Sequence, residues 1–364
     1  MTSDSAVLDG LTDFDRRQWD EVMAWHEKRT TRRQLPKRVQ GAVGRGKDVV
    51  VRTKDLAAKA PGANAVASAF AASSQSLLQL VGKVAEASVR REAVLKTYTK
   101  HGFELSGLEE VRGLDLREVL LVKPRLDLGY TLAATAEGAA AGAALTGGTA
   151  LAAVGLAAGG AGSAPGVGTI VGVMAADTAA MMAACQRAIA HTAAYYGYDT
   201  SLPGESVIAA EVMGFALAGT STAKNGVYQQ LNKVMQDLAH RATWRELNER
   251  AAVQVVQKVY QVLGVRLTQK KLAQAIPVIG VAVGAGMNAR MLSAVADASD
   301  HFYRERFLRD KYGIPLPHVA LVEGSEEDVV DVVAIVEEEL ANEAQETDQD
   351  AHDVRGVGLD GDQQ

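Results

Sequence analysis

Three charged residues mark the edges of two long uncharged runs, and those positions make them the first candidates for chemistry. Glu137 and Asp177 bracket 39 residues without a charge, and Arg290 closes a second run of 18 that follows Lys271. An ionised carboxylate beside apolar helix is expensive to desolvate, so it either pairs with a cation or is tuned for proton transfer. Arg187 and Arg290 are the nearby cations. Glu137, Asp177, Arg187 and Arg290 are therefore expected to form ion pairs in the core, with solvent-facing helix ends or a catalytic carboxylate as the alternatives.

The remaining reactive side chains fall into no recognised constellation. GxSxG, HExxH and CxxC spacings are absent, and the histidines are scattered at positions 26, 101, 191, 240, 301, 318 and 352. No catalytic residue, metal site or cofactor is assigned. His191, among small apolar residues, suits a hydrogen-bonded structural role better than a ligand or base. Cys185 is the only cysteine, which excludes an intramolecular disulfide and a multi-thiolate zinc site and leaves a buried small hydrophobe. The stretch "GAVGRGKD", residues 41–48, fits GxxxxGK, but Asp48 stands where a phosphate loop needs Ser or Thr, and no buried strand precedes it. "GVGTIVG" lacks dinucleotide-binding spacing. Nucleotide binding is not expected.

Basic residues offer a different chemistry. Residues 28–59 hold eleven bases and two acids, enough to attract anionic lipid headgroups. Arg32, Arg33, Lys37, Arg38, Arg45 and Lys47 are the expected lipid contacts. Nucleic acid is a poorer partner, because no aromatic side chain interleaves with these bases to stack on a strand. A merely solvated basic face, or a contact with another protein, is the competing reading. The charge is divided along the chain: after residue 322 there are fifteen acids and one base, leaving 37 bases and 29 acids before it.

The elements that must position these groups are helical by composition and period. Aromatic residues are 5% of the chain whereas Ala and Gly abound, so a core must come from helices that approach closely through small side chains. The polar, acidic amino terminus lacks the basic and apolar regions of a secretory signal, so a cytoplasmic protein is expected. A helix begins near Asp13, with Trp19, Val22, Met23 and Trp25 as its apolar stripe, and helical patterning returns over residues 65–101. "LEEVRGLDLREVLLVKPRLDL" reads as a short charged helix or a pair of turns. Helices over about 132–158 and 167–196, joined by "GGAGSAPGVG", form a hairpin. A helix through Val207 to Gly219, a long one from about Tyr228 to Leu263, and another carrying "MLSAVADASDHFYRERFLRDKYG" follow. Beyond 322, Val329, Val332, Val333, Val336 and Leu340 share a stripe, and the composition after Asn342 is that of a disordered acidic tail.

The uncharged run from 138 to 176 is long enough to cross a bilayer, but 25 of its 39 residues are Gly or Ala and only nine are Leu, Ile, Val or Met. Its glycines recur four apart: Gly138 and Gly142, Gly155 and Gly159, Gly168 and Gly172, with Gly280 and Gly284 later. Such pairs favour close helix packing in protein or in lipid. The expected fold is an all-α, multi-helix bundle with a Gly/Ala-rich close-packed hairpin and a disordered acidic C-terminal tail. Residues 1–60 hold the first helix and basic segment, 61–322 the helical domain, and 323–364 the acidic helix and tail.

"DRRQWDEVMAWHEKR", "TAEGAAAGAA", "YYGYD", "KKLAQAIPVIGVAVGAGMNAR" and "HFYRERFL" occur in that order, and together they resemble the EcsC family over about residues 13–313. The acidic tail lies outside that resemblance. The resemblance implies a bacterial, membrane-associated protein: non-enzymatic, peripheral or shallowly inserted at the inner face of the cytoplasmic membrane. An enzyme acting on lipid through an unrecognised site and a soluble protein-interaction module are the alternatives.

Overall fold

The computed structural model describes residues 8–31, 89, 91–125, 167–240, 249–274 and 280–317, with positions 335, 337, 338 and 341. Helix α1 (Asp13–Thr30) starts where the Thr12 hydroxyl accepts a hydrogen bond from the Asp15 amide at 3.1 Å. Asp13 and Asp15 in its first turn and Lys28 and Arg29 in its last complement the helix dipole. Trp19, Val22 and His26 recur at helical spacing and are buried. Helix α2 (Arg91–Lys100) turns its buried Val94 and Tyr98 inward. The charged segment expected as a helix or turns is a 3-10 turn (Leu108–Gly113) followed by α3 (Leu116–Val122), where Glu118 caps the start by accepting from the Asp115 amide at 2.8 Å.

The helix expected over about 167–196 is α4 (Val167–Tyr195), close to its expected bounds; the other expected arm of the hairpin, its turn and the Gly138, Gly142, Gly155 and Gly159 positions lie outside the described residues. Gly168 and Gly172 fall in α4 and Gly280 and Gly284 in α8. The α4 helix ends at Gly197, whose φ of +85° is accessible mainly to glycine, and whose missing Cβ admits the carbonyl oxygen of Leu108, 2.8 Å from where that atom would sit. This close approach seats the 3-10 turn on the end of α4.

Helix α5 (Pro203–Leu217) begins with Pro203, whose fixed φ suits the first turn. Seven consecutive residues, Val207 to Met213, are buried in it, so it has no solvent face and is the hub of the bundle. Around it pack α4, α6 (Ser221–His240), α7 (Glu249–Gln274) and α8 (Gly280–Tyr312). Of the long helix expected over about 228–263, the described parts are helical: α6 begins earlier, at Ser221, and is described to His240, and α7 is described from Glu249; residues 241–248 lie outside the described residues. The uncharged run after Lys271 begins in the last turn of α7 and ends in α8; Pro277 lies outside the described residues.

The last helix is the longest among those described. At 33 residues α8 extends roughly 50 Å, packing on α1, α4, α5 and the 3-10 turn. Helix α1, far away in sequence, closes over α6 and α8. Among the described residues there is no strand, and no helix is long and apolar enough to cross a membrane.

Candidate functional site

The carboxyl half of α8, "DASDHFYRERFLRDKY", carries charges on every face of its helix. A peripheral helix would turn such residues to water. Here α1, α4 and α5 surround it, and Glu305, Arg309 and Arg304 are only 2%, 8% and 9% exposed. Each buried charge must therefore find a partner on a neighbouring element.

Glu305 is the centre. One carboxylate oxygen lies 2.7 Å from Nε2 of His26 on α1. The other accepts from Nε of Arg309 at 2.7 Å and from the hydroxyl of Tyr228 on α6 at 3.1 Å. Burial by itself pushes the Glu305 carboxyl up; the His26 hydrogen bond and the charges of Arg309 and His26 overcome it and hold the group at about 2. The His26 ring is enclosed by aromatic rings, with Tyr228 at 4.3 Å, Trp25 at 4.9 Å and Phe302 at 5.0 Å between centroids. The Arg309 guanidinium also stacks 4.9 Å from the ring of Trp19.

Three further clusters follow along the same helix. Arg306 makes a two-pronged pair with Glu205 of α5 at 2.5 and 2.6 Å and lies 4.1 Å over the ring of Tyr198, whose hydroxyl donates to Asp310 at 2.6 Å. Asp300 accepts from the Tyr196 hydroxyl at 2.8 Å, pairs with Lys123 beside α3 at 2.8 Å, and also meets Arg304. Burial pushes the Asp300 carboxyl up, but Arg304 and Lys123 bring it down to about 2. Asp297 accepts from the Trp25 indole at 2.9 Å and from Arg29 at 2.6 Å, while His301 stacks on Trp25 at 4.3 Å.

A carboxylate against an imidazole at 2.7 Å is also the geometry of an acid–base pair. The space beside it decides the reading. The cavity lined by Phe302, Tyr303, Glu305, Arg306 and Arg309 has a volume of about 10 Å³, near the size of a single water. Glu305 is contacted by three partners, His26, Arg309 and Tyr228. The arrangement is suited to clamping helices together: His26, Trp25 and Arg29 bind α1 to α8, Glu205 binds α5, and Lys123 binds the end of α3.

The sequence-based candidates fall elsewhere. Arg187 and Arg290 are exposed on α4 and α8. Asp177 lies in α4 with its side chain outside the described residues, as is the whole of Glu137. Arg32, Arg33, Lys37, Arg38, Arg45 and Lys47 also lie outside them. Cys185 is buried as expected. His191 is half-buried, and burial with the nearby charge of Arg187 pushes its pKa down. Sequence reasoning missed His26, Glu205, Asp300, Glu305, Arg306 and Arg309. The signal was present in "HFYRERFLRDKY", where aromatics and charges alternate without a separate apolar face, the mark of a helix enclosed by polar partners. Among the described residues, no group of three His, Cys, Asp or Glu side chains could hold a metal.

No curated protein and no solved structure matches the chain significantly. The model of the EcsC protein family matches residues 149–308, a stretch that includes α4 to α7 and α8 as far as Leu308 but not α1. Over that stretch, somewhat less than half of its length, the chain is similar to the EcsC protein family.

Proposed function

We propose that the protein acts without catalysing a reaction, as a peripheral component at the inner face of the cytoplasmic membrane, contacting anionic headgroups through the basic segment 28–59. The observation that carries this reading is how that segment begins. Its first two bases, Lys28 and Arg29, form the last turn of α1, and α1 is fixed to the bundle by the His26–Glu305 and Arg29–Asp297 pairs. A firmly held helix thus delivers a segment with eleven bases. The buried charges of α8 support a non-enzymatic role, since they are occupied by one another around a cavity of about 10 Å³.

Sedimentation with phosphatidylcholine vesicles, with and without phosphatidylglycerol, tests this. Binding is expected only to the anionic vesicles, and to be lost at high salt. Replacing Arg32, Arg33, Lys37 and Arg38 by Gln removes four contacts of about 1 kcal/mol each, weakening binding on the order of 10²- to 10³-fold. Binding that survives high salt and carbonate would instead favour insertion of the Gly/Ala hairpin. No vesicle binding at all would refute the lipid reading and favour a soluble interaction module.

A further inference from the structure

A second imidazole stands between α1 and α8, beside the Asp297 cluster. His301 lies flat on the indole of Trp25, with 4.3 Å between ring centroids and 8° between planes, and its side chain is 12% exposed. Its Nδ1 is 2.8 Å from the Asp297 carbonyl oxygen. A carbonyl only accepts, so Nδ1 carries the proton and the neutral ring already satisfies this bond. The charges around the ring are matched without it. Arg29 of α1 pairs with Asp297 at 2.6 Å, and Lys123 pairs with Asp300 at 2.8 Å. Arg304 also pairs with Asp300 and reaches Glu21 of α1 at 3.6 Å. Three cations thus face three carboxylates, and Asp297 and Asp300 further accept from the Trp25 indole and the Tyr196 hydroxyl.

We propose that His301 makes the docking of α1 sensitive to acid: a proton on Nε2 adds a positive charge to a cluster whose carboxylates are already paired, and α1, whose Trp25 covers the ring, detaches more often. Burial pushes the His301 pKa below its usual 6.5; the Asp297 carbonyl and the charges of Asp297 and Asp300 work against this shift, and the charge of Arg304 works with it. A histidine depressed in this way takes up its proton more readily once α1 has opened. Docking is therefore complete above 6.5 and weakens as pH falls through the lower value of the closed form. Glu305 and Asp300, held at about 2, stay ionised over this range and do not contribute to the response. His26, the other imidazole of this contact, meets Glu305 and the Tyr228 ring instead.

Hydrogen exchange of the full chain at pH 7 and pH 5, expressed as protection factors so that the intrinsic effect of pH on exchange is removed, reads the docking of α1, with α5 as the internal reference. Two variants cannot titrate at this position: His301→Phe keeps a ring on Trp25, and His301→Gln keeps a donor for the Asp297 carbonyl. The unaltered chain is expected to lose α1 protection several-fold at pH 5 while α5 is unchanged, and the variants should hold α1 protection constant. Equal α1 protection at both pH values in the unaltered chain overturns the proposal. A loss of the same size in the His301 variants assigns the response to another group, His26 first, and overturns it as well. A parallel loss in α1 and α5 means that the whole bundle opens rather than α1 alone, which also overturns it. No vesicle enters the measurement, so its outcome is independent of the lipid reading above.

Discussion

Replacing Glu305 by Gln keeps the volume of the side chain and removes only its charge, which makes it the most direct probe of the α8 clamp. Glu305 is held at about 2 rather than the usual 4.5. At about 1.36 kcal/mol per pH unit, this difference corresponds to about 3 kcal/mol of stability at neutral pH. Because the folded-state value is depressed, the contribution is complete above 4.5 and disappears as pH falls toward and through 2. Breaking one partner of a buried pair independently suggests about 3–5 kcal/mol. Urea unfolding followed by circular dichroism should therefore show the variant about 3 kcal/mol less stable at pH 7. The gap should shrink steadily between pH 4.5 and 2, since the protonated acid and the amide then carry the same charge. A gap below about 1 kcal/mol at pH 7, or one that stays constant down to pH 2.5, would show that the carboxylate is not what holds α1 and α6 to α8.

Two further substitutions test other parts of the fold. Gly197→Ala should lower the melting temperature more than Gly102→Ala does: both positions have positive φ, near +85° and +90°, but only at Gly197 would a Cβ collide with the Leu108 carbonyl and the Arg112 side chain, at 2.8 and 2.9 Å. The backbone effect alone is on the order of 1 kcal/mol, so equal losses at the two sites would mean the 3-10 turn is not seated against α4 as described. Arg290→Ala, at an exposed position on α8, should change unfolding free energy by less than about 0.5 kcal/mol; a loss of several kcal/mol would restore the arginine to the core.

Much of the helical order was legible along the chain. Helix α1 could be placed from its apolar spacing and from the acids at its start, and α4 from its apolar run up to Tyr195, because caps and periodicity are local properties. The short pieces around Leu108–Gly113 and Leu116–Val122 were foreseen as a short charged helix or a pair of turns for the same reason. The start of α6 at Ser221 was not, since the residues before Val227 are small or polar and give no apolar stripe. The importance of α5 was also hidden. A 15-residue helix with seven successive buried positions looks in sequence like any apolar helix, and only its neighbours make it the hub.

By itself, the sequence determined that this is a helical protein, what its helices are made of, that its charge is divided between a basic body and an acidic tail, and which family it resembles. Those are properties of composition, period and motif order. Tertiary structure alone decided which charges are buried. Asp177 and Arg290 drew attention by bordering apolar runs, but Arg290 faces water, while Glu305 and Arg309, ordinary members of a charged helix in sequence, lie inside the bundle. The reason is that desolvation depends on what packs around a residue in space. His26 meets Glu305 from 279 positions away in the chain, a pairing that no local pattern records.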